Sequence, residues 1–173
     1  EIARKKGGEP MENEDLLEEV NFLVEYPTAF WGAFSPAYLD VPPEVLTTSM
    51  IEHQRYFPVF DQQGQLLPGF IGVRNGTDFA IETVIAGNQR VLKARLEDAL
   101  FFWREDTKKP LQDYVPGLAQ VMFHERLGSL LDKVTRLRNL AVFCGAQAGL
   151  SSAAKLDRAA SLCKADLLSS MVY

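Results

Sequence analysis

Apolar positions along the 173-residue chain fall into helical and strand spacings that predict most of the elements. Leu16, Leu17, Val20, Leu23 and Val24 recur at helical spacing, and Asn13-Glu14-Asp15 places acids where a helix dipole favours them. Glu1 to Pro10 reads as the end of a helix closing at Gly7-Gly8, then a link. The run from Thr28 to Phe34, bounded by Pro27 and Pro36, predicts a strand. Asp40-Val41-Pro42-Pro43-Glu44 carries proline in a first turn, so a helix is predicted over 43–56, stopping before Pro58.

Residues 58–73 have the grammar of a hairpin. Its arms are 58–60 and 69–73, and Gly64 sits in the turn. Pro68 lacks a ladder donor, which predicts an edge strand or a strand beginning after it. Gly87-Asn88 is read as the opening of a helix over 88–106, with Leu92, Leu96, Ala99, Leu100 and Trp103 on one stripe. Thr83-Val84-Ile85 fits a short helix or a short strand. From Pro110 onward helices are predicted over 111–124, 125–149 and 151–173. The fold class is therefore α+β: a small antiparallel sheet with helices over 1–110, then an all-helical segment over 111–173.

Composition changes little in this picture. The chain is 47% hydrophobic and 24% charged, ordinary for a globular protein, and no run of about 18 apolar residues predicts a membrane span. It does not begin with Met, and it ends in mid-pattern, so it reads as a piece of a longer protein. Two cysteines, Cys144 and Cys163, are no disulfide framework; they read as structural thiols in an apolar helical core, and a reducing cytoplasm is the default. Charge is uneven: residues 1–86 hold 5 Lys/Arg against 14 Asp/Glu, residues 87–173 hold 13 against 9.

Candidate chemistry is sparse. No Gly-x-x-x-x-Gly-Lys or Gly-x-Gly-x-x-Gly occurs, nor a Gly-x-Ser-x-Gly elbow. His53 and His124 have no His or Cys partner at helix spacing. His53 lies at the spacing of Leu46, Met50 and Phe57, which suits a half-buried orienting group. Beside Gln54 and Arg55 it also suits a general base or an RNA contact. Arg90, Lys93 and Arg104 share one helical face, continued by Lys108 and Lys109. Such a face suits either phosphate contacts or, with Glu97, Glu105 and Asp106 interleaved, a salt-bridged surface.

Longer strings are more telling. Leu16-Leu17-Glu18-Glu19-Val20 with Leu23-Val24-Glu25-Tyr26-Pro27 comes first. Then come Val41-Pro42-Pro43-Glu44-Val45-Leu46 and His53-Gln54-Arg55-Tyr56-Phe57-Pro58. Gly87-Asn88-Gln89-Arg90-Val91-Leu92-Lys93-Ala94-Arg95-Leu96 follows, then Phe123-His124-Glu125-Arg126-Leu127-Gly128 and Lys164-Ala165-Asp166-Leu167-Leu168. In order and spacing they resemble the β subunit of bacterial tetrameric glycyl-tRNA synthetase, with Tyr26 where Trp is usual.

The resemblance implies a central piece of the β subunit of an α2β2 enzyme that attaches glycine to its tRNA using ATP. It implies partners in the α subunit and the glycine tRNA, with no membrane and no DNA. ATP and Mg would be used on the α subunit, leaving no cofactor for this piece. A tRNA contact, if this piece makes one, would fall on Arg90, Lys93, Arg104, Lys108 and Lys109, with His53, Gln54 and Arg55 beside them. The helical part would begin a degenerate His-Asp (HD) phosphohydrolase-like domain. Lys164-Ala165 stands where that domain's metal-binding pair would fall, and a lysine there repels a cation. An HD-type phosphohydrolase fragment and a module docking the α subunit are the alternative readings.

Overall fold

The computed structural model describes residues 1–172. The elements, in chain order, begin with α1 (Ile2–Lys5), β1 (Glu9–Pro10), α2 (Glu14–Leu23) and β2 (Pro27–Ala33). A 3-10 helix (Pro36–Asp40), α3 (Pro43–Gln54), β3 (Phe57–Phe60), β4 (Leu66–Asn75) and α4 (Ile81–Asp106) follow. Then come a 3-10 helix (Leu111–Gln120), β5 (Met122–His124), β6 (Gly128–Ser129), α5 (Leu130–Gln147), α6 (Ala153–Leu162) and a 3-10 turn (Ala165–Leu168). Two compact units divide inside α4, Glu1–Phe101 and Phe102–Tyr173.

The first unit is built on an antiparallel sheet of order β1-β3-β4-β2. Side chains alternate across β4, so Phe70 and Ile71 serve opposite faces. On one face Leu16 and Val20 of α2 pack with Phe57, Ile71 and Val73. On the other, Phe70 is fully buried, stacked on Tyr56 at 4.2 Å between ring centroids and edge-on to Phe30 at 6.3 Å. Cross-strand glycines make room for these rings. A methyl group on Gly32 would stand 2.2 Å from the Phe70 ring, and one on Gly72 would stand 2.3 Å from Phe30. The far end of each ring thus reaches over the glycine opposite it, Phe70 over Gly32 and Phe30 over Gly72.

Three first-unit expectations need correction. β4 is an interior strand that starts at Leu66 and contains Pro68, not an edge strand. The ladder tolerates the proline because the β3–β4 register is already irregular between Pro58 and Phe60, and the Pro68 carbonyl still accepts from Phe34 N–H at 3.2 Å. α4 begins at Ile81, seven residues before Asn88, and takes in Thr83-Val84-Ile85. Asn88 lies inside the helix: its amide donates to the Val84 carbonyl and its oxygen accepts from the Tyr56 hydroxyl. α3 ends at Gln54 because Arg55 turns left-handed, with φ 55°.

Burial pushes the Tyr56 hydroxyl, on a residue 5% exposed, up to about 12. A folded value above the ordinary tyrosine value of about 10 leaves stability intact below pH 10 and removes it as pH rises through 12. Tyr56→Phe should cost about 1 kcal/mol at pH 7, for the bond to Asn88, yet lose less between pH 10 and 12 than the parent. Urea midpoints for both proteins across that range check this; equal alkaline losses would contradict it.

The second unit is largely helical but not helical throughout. Residues 111–120 wind as a 3-10 helix holding Pro116, which has no N–H for an α-helical bond. Residues predicted to continue as helix form the β5–β6 hairpin instead, pairing Met122 with Ser129 and His124 with Gly128. Gly128 adopts φ 82° and a side chain there would strike the Asp132 carboxylate. Ser129 then caps α5 through a reciprocal box with Asp132. The last predicted helix, 151–173, is α6 followed by the 3-10 turn. Leu118, Leu130 and Val134 form the local core. Arg138 grips Asp157 with two 2.8 Å bonds between α5 and α6. The Asp106 carboxylate accepts from Tyr114 and from the backbone N–H groups of Ser170 and Met171. Burial pushes that carboxyl up, but these bonds outweigh it and hold the group below the usual range.

Candidate functional site

Where β2 ends, Phe34 donates its N–H to Pro68, and Ser35 Oγ accepts from Ala37 N–H at 3.3 Å to start the short helix Pro36–Asp40. That helix sets Tyr38 beside Phe34, with ring centroids 6.5 Å apart and tilted at 54°. The Tyr38 hydroxyl reaches α4 and donates to Glu97 at 3.4 Å. Burial, and then the Glu97 charge and hydrogen bond, hold that hydroxyl above its ordinary value. Because Leu92, Leu96 and Ala99 are buried, the opposite side of α4 is turned to solvent. Arg90 and Lys93 on the exposed side, with half-buried Gln89 at the flank of the buried stripe, face Phe34, Ser35 and Tyr38 across a cleft of about 460 Å³.

Among the described residues lining this cleft there is no Asp or Glu, although the first unit carries 16 Asp/Glu against 8 Lys/Arg; the nearest carboxylate, Glu97, touches the lining Tyr38 and Lys93. Lys93 Nζ stands 3.6 Å from Glu97, an exposed pair worth under about 1 kcal/mol and easily exchanged for another anion. The Arg90 guanidinium is exposed and makes no ion pair among the described residues. Two cations, two aromatic rings and an amide thus converge on one concavity. The chemistry they offer is binding: charge for an anion, ring faces for a planar group, and an amide for a polar edge.

The other sequence-predicted residues are distributed elsewhere. His53 is exposed at the C-terminal end of α3, not half-buried with Leu46 and Met50, because the helix ends there and Arg55 swings the chain away. Gln54 is half-buried. Arg55 is engaged with Glu19 at 2.7 Å and with the Glu52 carbonyl. None of these three lines the cleft. Arg104, Lys108 and Lys109 belong to the second unit. Lys108 pairs with Glu105, and Lys109 lies 3.8 Å over the Tyr114 ring. Both cysteines are exposed, against the expectation of buried thiols. Cys144 precedes Gly145, which is the residue that α5 turns toward Leu156 of α6. Among the described residues no three His, Cys, Asp or Glu lie together in a way that could hold a metal ion, and no helix is long and apolar enough to cross a membrane. Residues 34, 35, 38 and 89 were not singled out from the sequence. The signal for them was the aromatic run ending at Phe34, followed by Tyr38 just past Pro36.

A larger concavity of about 530 Å³ lies between α2 and the sheet, lined by Met11, Leu17, Phe57, Ile71 and Val73 with Glu12 and Glu14 at its margin. Leu17, Phe22 and Leu23 on α2 are well exposed.

The first unit is thus α+β with a basic, aromatic cleft, and the second is mainly helical. The sequence model of the glycyl-tRNA synthetase beta subunit family matches residues 1–173. The chain is 67% identical to the glycine–tRNA ligase beta subunit of Syntrophomonas wolfei over 172 residues, 99% of this chain and 25% of that protein. It is 51% identical to the same subunit of Desulfitobacterium hafniense over 174 residues, again 99% and 25%. For Streptococcus pyogenes the figure is 56% over 162 residues, 92% and 24%. The chain belongs to the glycyl-tRNA synthetase beta subunit family and spans about a quarter of the length of these relatives.

Proposed function

We propose that this chain is a tRNA-contacting and scaffolding piece of an ATP-dependent glycine–tRNA ligase, working in the cytoplasm with an α subunit that holds the aminoacylation site, ATP and Mg. The observation that carries the tRNA reading is the cleft lined by Arg90 and Lys93, with Glu97 as its neighbouring carboxylate, in an otherwise acidic unit. Phosphate contacts from such residues contribute affinity by counterion release. The piece contributes no chemistry of its own. Its helical unit is read as the start of a metal-free relative of the HD phosphohydrolase domain, with Lys164 and Ala165 where a metal pair would stand.

The test is glycylation by the assembled enzyme carrying Arg90→Ala and Lys93→Ala. The KM for tRNA should rise several-fold while kcat and glycine-dependent ATP–pyrophosphate exchange stay unchanged, since ground-state binding alone is lost. A fall in exchange would place these residues in the chemistry instead. The isolated chain should catalyse no such exchange, and steady exchange by it would overturn the reading.

A second reading has its own observation. The apolar groove beside α2, with Leu17, Phe22 and Leu23 exposed, is a surface suited to a protein partner, here the α subunit. Leu17→Asp should weaken subunit assembly without changing the salt dependence of tRNA binding.

A further inference from the structure

We propose that the cleft between the end of β2 and α4 seats a single unstacked base of an unpaired RNA strand, with the neighbouring phosphate held by Arg90 and Lys93; this rests on the reading that the chain touches tRNA.

The cleft has the composition such a ligand requires. Single-stranded RNA is recognised by stacking splayed bases on aromatic rings and by hydrogen bonds to their polar edges. Phe34 supplies a half-exposed ring, steadied by Tyr38 at 6.5 Å. Tyr38 is fixed in turn through its bond to Glu97. Gln89 supplies an amide that can both donate and accept, and no hydrogen bond engages it among the described residues. Arg90 and Lys93 supply the charge for a backbone phosphate beside the base.

A volume of about 460 Å³ admits a planar base and its sugar, within the range of small-ligand sites, but not a double helix. An acidic peptide would satisfy the two cations. It would leave the Phe34 face and the Gln89 amide without a matching group, so the aromatic wall favours RNA.

The experiment uses the full-length protein with two probes, a seven-residue uridine single strand carrying a central 4-thiouridine and an RNA duplex of twelve base pairs. Phe34→Leu keeps an apolar side chain of similar bulk but removes the ring. It should weaken the single strand about tenfold, leaving duplex affinity and the salt slope unchanged. On irradiation, the thiouridine in the unaltered protein should cross-link to Phe34, Tyr38 or Gln89, a result that needs no variant to fold. Unchanged single-strand affinity in Phe34→Leu, a cross-link mapping elsewhere, or a polyglutamate peptide that outcompetes the single strand would each overturn the base seat. Arg90→Gln with Lys93→Gln separates the two levels. A lowered salt slope alongside an unaffected Phe34→Leu variant would leave the tRNA contact standing without a base seat. An unchanged slope would remove the underlying contact and the base seat with it.

Discussion

Replacing Phe70 with alanine is expected to cost the first unit about 3–5 kcal/mol, the largest stability effect of any single substitution considered for this chain. Phe70 is fully buried, stacks on Tyr56, meets Phe30 edge-on and fills the space that Gly32 leaves open on the neighbouring strand. Truncation loses the burial of the ring and opens a cavity that its neighbours cannot close, because Gly32 has no side chain to move into it. Domains are stable by only about 5–15 kcal/mol, so the loss is a large fraction of the whole. Phe70→Leu, which keeps much of the volume, should cost far less. Urea unfolding in a Trp103→Phe background, followed by the fluorescence of Trp31 beside the same strand pair, reads the difference. A midpoint for Phe70→Ala equal to the parent's would contradict the packing account.

The Phe70 core also shows what the sequence could reveal. The hairpin grammar of 58–73 and the aromatic run at 28–34 mark strands of the sheet, and the stripe from Leu92 to Leu100 marks the buried face of α4. These are local signals: turn residues and aromatic runs for the strands, and for α4 the periodicity that burial of one face imposes directly. The misread boundaries depend on distant partners. Gly87-Asn88 reads as the opening of a helix, yet α4 begins at Ile81 and the Asn88 side chain is taken up by Val84 and by Tyr56, 32 residues away. Pro68 looked incompatible with an interior strand, yet the irregular register of β3 accommodates it. The run Phe123-His124-Glu125-Arg126-Leu127 has acceptable helix formers, but the positive φ of Gly128 closes it into a hairpin.

The candidate site divides in the same way. Arg90 and Lys93 were visible as the polar side of an amphipathic helix. Phe34, Tyr38 and Gln89 join them only through the path of the chain after β2, which no local pattern encodes. Exposed position alone did not distinguish Arg90 from Arg55 or Lys109. The distinction is that Arg55 is spent on Glu19 and Lys109 on the Tyr114 ring.

The salt dependence of glycine-tRNA binding to the full-length protein tests the central claim most directly. Each phosphate contact adds close to one unit to the slope of log affinity against log salt concentration. With Arg90→Ala and Lys93→Ala together, the slope is predicted to flatten by about 1.5 to 2 units. The loss in affinity should be greatest at low salt, where the released counterions count most. The local alternative is that Lys93 is committed to Glu97 and Arg90 only to water. Unchanged affinity and an unchanged slope in the double variant would establish that alternative and contradict the assignment of this cleft to tRNA.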